Sequence, residues 1–298
     1  MANVLDQAAE FVRTPDGRTL AYAQTGDPEG TPAFVLHGTP GSRLSGRHHD
    51  PSRVADAGLR VITYDRPGNG RSTRHPARAV VDCVTDIAAI ADTLGIERFV
   101  VTGSSGGGPH ALASAARLPD RVIRAECNVS AAPYDAPDLD WFEGMDPENV
   151  KEFGWALEGE ETLARELERE AGDWLSRLDE DPSNLLGEFE LSEADRAVLQ
   201  DEIVRERLRK SIREALAPGV WGWADDDLAF VKPWGFEVAE IRVPVQVRYG
   251  VGDVLAPVGH GEWLARHVPN ASVIVDHEAG HLSTPDAQLE RLRSLVAG

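Results

Sequence analysis

The 298-residue sequence has few cysteines, a deficit of positive charge and no long apolar run, and each shortage excludes a class of protein. Its two cysteines, Cys83 and Cys127, form no C-x-x-C pair, so we expect buried apolar side chains rather than a redox or metal site. A formal net charge of −20 argues against a nucleic-acid partner, which needs a basic surface. No window reaches about eighteen apolar residues, the length of a membrane helix. Because the start also lacks a signal-peptide pattern, we expect no membrane partner and a cytoplasmic location.

The negative charge is concentrated in one third of the chain. Between Asp135 and Asp227 there are 28 Asp and Glu residues against 10 Lys and Arg, a net of −18 out of −20. Residues 135–228 also carry long stretches with helical spacing of apolar residues, at 160–178 and 192–216, and no strand pattern. We therefore predict a helical insertion at 135–228, which interrupts a domain formed by 1–134 and 229–298.

Outside the insertion, short β-rich runs alternate with helical patterns. Residues 11–13 and 19–23 flank a Pro-Asp-Gly turn and predict a hairpin. Further strands are predicted at 33–36, 60–64, 99–102, 122–127, 243–249 and 272–276, and helices at 80–94, 108–118, 258–267 and 286–296. The inner strands are continuously apolar, as expected where both faces of a parallel sheet are covered. The order predicts an α/β fold with a mostly parallel central sheet flanked by helices.

The predicted strand at 99–102 leads into Gly103-Ser104-Ser105-Gly106-Gly107, and a helical pattern follows. This is a G-x-S-x-G sequence between a strand and a helix, where small flanking residues allow a sharp turn that exposes the serine hydroxyl. Only Ser105 has glycine two positions away on both sides, so Ser105 is the candidate nucleophile. The alternative is a glycine-rich turn that only packs the helix against the strand.

With this turn, the chain resembles the α/β-hydrolase fold superfamily, in particular its capped serine hydrolases, which include esterases and prolyl aminopeptidases. His37-Gly38-Thr39-Pro40-Gly41 resembles the oxyanion loop of that superfamily, and residues 65–72 resemble its D-x-x-G-x-G-x-S segment. The resemblance implies that backbone N–H groups of Thr39 and Gly106 form an oxyanion hole. Gly38 is the rival to Thr39 and a candidate substrate contact. The resemblance also implies that neither a cofactor nor a metal is needed.

A serine hydroxyl needs a base within hydrogen-bond reach and a group that orients this base. The superfamily places its histidine in a loop after the last strand, where this chain has Gly280-His281, with His277 as the alternative. Its acid follows a late strand, and Asp253 matches that position, although a carboxylate there also suits a simple turn. The resemblance thus implies a triad of Ser105, Asp253 and His281, in this order along the chain.

The insertion is expected to cover the site as a cap. It holds five of the seven tryptophans, and Trp141, Trp155 and Trp221 are candidates to line a substrate pocket. Aromatic side chains of a helical insertion also pack its own core, which is the alternative. Since an acidic cap disfavours anionic substrates, we expect a neutral, fairly hydrophobic small molecule as substrate.

Together these features predict a serine hydrolase that cleaves a carboxylic ester or a lactone. A prolyl aminopeptidase-like peptidase or amidase, a carbon–carbon bond hydrolase and a non-catalytic small-molecule binder on the same fold stay open. The peptidases carry H-G-G-P-G and D-Q-R-G segments and favour a tryptophan after the nucleophile, whereas this chain has Thr39, Asp65-Arg66-Pro67 and Gly106 there. The sequence leaves the oligomeric state open, with a homodimer as one expectation.

Overall fold

The fold is built around one β-sheet. The structure, a computed structural model, describes residues 9–180 and 186–298. Eight strands form the sheet in the order β1-β2-β4-β3-β5-β6-β7-β8. They are β1 (Glu10–Arg13), β2 (Thr19–Gly26), β3 (Thr31–Leu36), β4 (Leu59–Tyr64), β5 (Phe99–Ser104), β6 (Val122–Asn128), β7 (Val245–Gly250) and β8 (Ala271–Asp276). The pairs β1–β2 and β2–β4 are antiparallel, and the other neighbouring strands run parallel.

Helices cover both faces of this sheet. Those outside the predicted insertion are α1 (Pro51–Asp56), α2 (Cys83–Thr93), α3 (Gly108–Arg117), α9 (Val258–His267) and α10 (Pro285–Ala297). In β3, Ala33 and Val35 belong to the core under α1 and α10, whereas Phe34 and Leu36 belong to the core under α2 and α3. Because alternate residues of a strand point to opposite faces, both sets must be apolar, which explains the continuous apolar runs of the inner strands.

The chain between β6 and β7 is helical. Its described residues form α4 (Pro147–Glu158), α5 (Glu160–Glu180), α6 (Glu193–Val198), α7 (Glu202–Leu216) and α8 (Trp221–Phe230), and no strand. Helices α4, α5, α7 and α8 share an apolar core that includes Leu163, Trp174 and Trp223. The predicted helical stretch at 192–216 is two helices, because Ser192 caps α6 and Asp201 caps α7 with their side-chain oxygens.

The predicted α/β fold class, with a mostly parallel sheet flanked by helices, is confirmed. The domain boundaries stay a prediction, and helix α8 crosses the one at 228. Nearly every residue of α8 is buried, so its sequence has no polar face that marks it as a helix. Both cysteines are buried and unpaired. Among the described residues, no helix combines the length and apolar character that a membrane crossing requires.

Candidate active site

The turn that holds Ser105 is sterically tight. Strand β5 ends at Ser104, a 3-10 turn spans Ser105–Gly107, and α3 follows. Ser105 has a φ of +55°, a left-handed conformation that non-glycine residues rarely adopt and that recurs at functional sites. A Cβ atom on Gly103 would lie 2.0 Å from the carbonyl oxygen of Gly107, so only glycine lets the turn close. The turn places Ser105 on the wall of a cavity of about 230 Å³.

Asp253 and His281 form a direct pair. Asp253 follows β7 and His281 follows β8, and the Nδ1–H group of His281 donates to the two carboxylate oxygens of Asp253 at 3.0 and 2.9 Å. One of these oxygens also accepts the backbone N–H groups of Leu255 and Ala256, each at 2.9 Å. The turn-forming role and the orienting role of Asp253 therefore coexist, since the turn holds the carboxylate towards the imidazole.

His281 lies on the same cavity wall as Ser105. No hydrogen bond joins the Ser105 hydroxyl to His281 within the described part of the chain, and such loose contacts are common in unliganded sites. Burial lowers the pKa of His281, but the charge and hydrogen bond of Asp253 outweigh burial and raise this pKa above its ordinary value of 6.5. The pair is thus arranged to stabilise an imidazolium.

The loop after β3 passes beside the nucleophile. A Cβ atom on Gly38 would lie 3.2 Å from the Cβ atom of Ser105, and Gly38 lines the cavity. The Nε2 atom of His37 accepts the backbone N–H group of Arg66 at 3.1 Å, so its Nδ1–H group donates to the Gly38 carbonyl oxygen at 2.7 Å. Burial and then the charge of Arg66 hold the pKa of His37 well below its ordinary value. A neutral His37 therefore fixes the shape of this loop.

The two candidate oxyanion residues lie against each other. A Cβ atom on Gly106 would lie 2.3 Å from Oγ1 of Thr39, and both residues line a second cavity of about 60 Å³ with Ser105. The Thr39 hydroxyl donates to Asp226 at 2.8 Å and accepts from Arg66 at 2.9 Å. Helix α8, which carries Asp226, is thereby attached to the oxyanion loop.

A buried ion cluster anchors this attachment. Guanidinium nitrogens of Arg66 and Arg78 each lie 2.7 Å from a carboxylate oxygen of Asp226. Burial opposes ionisation of Asp226, but the two arginines outweigh it and hold the pKa of the carboxyl group far below its ordinary value. Sequence reasoning missed Asp226, because the order of residues does not reveal which acid of the insertion meets the sheet.

Trp141 is the only one of the three candidate tryptophans that lines a cavity with Ser105 in the described residues. It lies on the smaller cavity, and its indole N–H group donates to the carbonyl oxygen of Ala132 at 2.9 Å. Trp174, which was not singled out from the sequence, lines the larger cavity.

Among the described residues, Trp155 and Trp221 line neither of the two cavities that contain Ser105, so their role as pocket residues stays a prediction. The ammonium nitrogen of Lys151 lies 5.0 Å from the centre of the Trp155 ring, and the Arg74 guanidinium lies 3.9 Å from that of Trp221. Both indoles therefore support charged side chains of the surface. The face of each helix that meets the sheet was not visible in the sequence.

Two carboxyl groups, the half-buried Glu152 and the buried Asp227, line a cavity with Ser105. Glu152 lines both cavities, and Asp227 lines the smaller one. Burial raises the pKa of Glu152 to about 7, and burial followed by the charge of Glu152 raises the pKa of Asp227 well above its ordinary value. The indole N–H group of Trp223 donates to Glu152 at 2.9 Å. The wall near Ser105 thus holds two acids whose surroundings favour the protonated form.

Asp195 of helix α6 holds the loop that carries His281. Its two carboxylate oxygens accept the backbone N–H groups of His281 at 3.0 Å and Leu282 at 2.6 Å. Ser192 donates to the same carboxylate at 2.9 Å, and a Cβ atom on Gly280 would lie 2.0 Å from it. The glycine before the histidine therefore makes room for Asp195. The sequence analysis assigned Asp195 no role at the site.

Comparison with known proteins agrees with this architecture. Residues 32–287 match the family described as alpha/beta hydrolase fold. The chain belongs to the α/β-hydrolase fold family. The solved structure of a hydrolase from Pseudomonas aeruginosa is similar to this chain, with a TM-score of 0.71 and 21% sequence identity. The superposition covers 98% of this chain and 100% of the other. At this identity the likeness shows the fold alone.

Curated relatives of this α/β-hydrolase carry different names. A proline iminopeptidase of Xanthomonas citri is 37% identical over 111 residues, 35% of this chain and 34% of the relative. The match therefore spans about a third of that relative's length. A 2-hydroxy-6-oxononadienedioate/2-hydroxy-6-oxononatrienedioate hydrolase of Burkholderia vietnamiensis is 28% identical over 280 residues, 89% of this chain and 86% of the relative.

Proposed function

We propose that this protein is a serine hydrolase that cleaves a carboxylic ester or a lactone of a small molecule through an acyl-enzyme on Ser105. The observation that carries the proposal is the hydrogen bond of 2.9 Å from His281 to Asp253, together with the cavity that His281 and Ser105 both line. An imidazole held by a buried carboxylate beside a serine in a strained turn is the arrangement that activates a hydroxyl.

In the proposed mechanism His281 takes the proton of Ser105 while the hydroxyl oxygen attacks the substrate carbonyl. Asp253 stabilises the resulting imidazolium. Backbone N–H groups of Thr39 and Gly106 bind the oxyanion of the tetrahedral intermediate. Each such donor lowers the activation free energy by about 3 kcal/mol. His281 then gives its proton to the leaving alcohol, and water hydrolyses the acyl-enzyme by the same steps.

The two cavities meet at Ser105 and suggest where the two parts of an ester bind. His281 lines only the larger cavity, and the leaving group must accept the proton of His281, so we assign the leaving group to the larger cavity. The smaller cavity holds Gly106 and the apolar side chains of Trp141, Phe153 and Phe230, so we assign a short acyl group to it.

A substrate panel tests this proposal. We expect the purified protein to hydrolyse p-nitrophenyl esters with short acyl chains faster than esters with long chains, because the acyl cavity measures only about 60 Å³. The panel includes lactones and aminoacyl amides, with Ser105→Ala as the inactive control. Turnover of aminoacyl amides without turnover of any ester or lactone would make the peptidase alternative correct instead.

A carbon–carbon bond hydrolase is the second candidate, favoured by the similarity over most of the chain to the Burkholderia vietnamiensis hydrolase. The same three side chains suit that reaction when the leaving carbon is stabilised as an enol. Adding a 2-hydroxy-6-ketodienoate to the panel separates the two candidates, since the absorbance of the dienol is lost on cleavage. We expect slower turnover of this compound than of the best ester.

A further inference from the structure

Two arginines lie on the larger cavity with Ser105 and His281. Arg207 comes from helix α7 and Arg291 from helix α10. Arg207 donates to the carbonyl oxygen of Ser283, and Arg291 donates to its hydroxyl oxygen, both at 3.2 Å. The two guanidinium groups therefore meet at a residue two positions after His281.

Neither arginine has an acidic partner in the described part of the chain. Arg207 also donates to the side-chain oxygen of Gln288 at 3.0 Å, which is a neutral acceptor. Within residues 9–180 and 186–298, no carboxylate oxygen lies within 4.0 Å of either guanidinium group. Four buried arginines each have a carboxylate oxygen at 2.7 Å: Arg18, Arg43, Arg66 and Arg78. The half-buried cavity pair differs from these four, since no such acid adjoins it among the described residues.

The acids that act on the pair from a distance are engaged elsewhere. Glu126 favours the charged form of Arg291, but Thr102 donates to Glu126 at 2.6 Å and Arg248 lies 3.5 Å from it. Asp201 favours the charged form of Arg207, but its carboxylate caps the start of α7. No described acid is therefore placed to neutralise the pair.

Burial and then mutual repulsion lower the pKa of Arg207 to about 10, and burial also lowers the pKa of Arg291. Both groups stay cationic near neutral pH. Burying a cation without a counter-charge destabilises a fold, which makes such a pair unfavourable unless a ligand supplies the negative charge. A carboxylate fits the planar donors of a guanidinium group particularly well.

We propose that Arg207 and Arg291 bind a carboxylate carried by the leaving-group part of the substrate. The proposal rests on the serine hydrolase function, which assigns the leaving group to this cavity. It revises the neutral substrate expected from the acidic insertion, because the excess of acids describes the insertion as a whole and not this wall. The only acid on the described wall of the larger cavity is Glu152, whose raised pKa favours its uncharged form.

The test compares two series of butyrate esters of graded length. In one series the alcohol ends in a carboxylate, and in the other an isopropyl group of similar shape replaces the carboxylate. We expect wild type to prefer the anionic series at one length, and Arg207→Gln and Arg291→Gln to lower kcat/KM for that ester by about tenfold to a hundredfold. Turnover of the isopropyl ester should change less than about threefold, which also shows that the variants are folded.

Two further variants serve as controls. Arg293→Gln removes the same charge from the same helix, but Arg293 is exposed and pairs with Glu290, so the preference should persist. Arg207→Lys keeps the charge without the planar donors and should retain part of the preference. Equal loss on both ester series, or no preference in wild type, overturns the proposal.

A binding measurement keeps the two proposals separable. Calorimetry with Ser105→Ala should detect the matching ω-hydroxycarboxylate and should lose this signal when Arg291→Gln is added. Binding without any ester turnover would contradict the hydrolase function but support the anion site. Ester turnover without a role for either arginine would support the hydrolase function and contradict the anion site.

Discussion

The strand ends and the helical insertion contribute to the candidate site in different ways. Ser105, Asp253 and His281 lie in loops that follow β5, β7 and β8. The acids that hold the surrounding loops in place lie in the insertion, where Asp226 attaches to the oxyanion loop and Asp195 to the histidine loop. The loops of the sheet thus carry the candidate reactive groups, and the insertion carries acids that hold these loops.

This difference matters because the two sets of residues should fail differently. Loss of a reactive group removes a step of the reaction, whereas loss of an aligning acid leaves every step available at a poorer geometry. Larger losses of activity for variants of the sheet loops than for variants of the insertion would support this difference.

Ser105→Ala should give the largest effect, a fall in kcat of about 10⁴-fold or more, because no nucleophile remains. Ester turnover in steady state measures it. Ser104→Ala is the matched control, since Ser104 lies in the same turn but its hydroxyl accepts a hydrogen bond from Asn128 at 2.9 Å. Equal losses in both variants would contradict the assignment of Ser105.

Asp253→Asn should lower kcat by about 10³- to 10⁴-fold, because the amide favours the wrong tautomer of His281 and cannot stabilise its cation. The free enzyme needs neutral His281, so kcat/KM of wild type should rise through an apparent pKa above 6.5. Without the Asp253 charge, burial dominates the pKa of His281 and lowers it. The rise of kcat/KM with pH should therefore occur at lower pH in Asp253→Asn. Asp276→Asn, a change near β8 that leaves the pair intact, should leave the profile in place.

Asp195→Asn should have a smaller effect, a fall in kcat of roughly tenfold to a hundredfold, because misplacing His281 slows proton transfer without removing it. The amide oxygen can accept only one of the two N–H groups that the carboxylate holds, so Asp195→Ala should be slower still. If KM changes and kcat does not, Asp195 supports the pocket rather than the histidine loop.

Glu152→Gln should act mainly on stability. The pKa of Glu152 is about 7 in the folded protein against an ordinary 4.5, so the folded state binds more protons between these values. The associated stability is present below the lower value and is lost as pH rises through about 7. Wild type should therefore lose roughly a few degrees of melting temperature between pH 5 and pH 8, whereas the variant should show a flatter profile in calorimetric melts.

The site could be predicted from the sequence where the local backbone conformation restricts which residue types fit. Glycines around Ser105 mark a turn that tolerates no side chain, and strand patterns before Asp253 and His281 place these residues at one sheet edge. The candidate triad could therefore be proposed from short segments of the sequence.

The unpredicted part depends on how helices dock. Asp195, Asp226 and Arg207 lie among many charged residues of the insertion, and nothing local separates an acid that meets a backbone N–H group from one that faces water. The same holds for Trp155 and Trp221, since nothing local in the sequence shows which tryptophan of the insertion faces a cavity. Helix α8, buried on nearly all sides, gave no periodic signal at all.

The most direct test of the account is covalent labelling of the intact protein by a fluorophosphonate, with the adduct located by mass spectrometry of the peptides. The account predicts one adduct, on Ser105, which disappears in Ser105→Ala and forms much more slowly in Asp253→Asn. A wild-type protein that stays unlabelled, or an adduct on a different residue, would contradict the claim that Ser105 is an activated nucleophile.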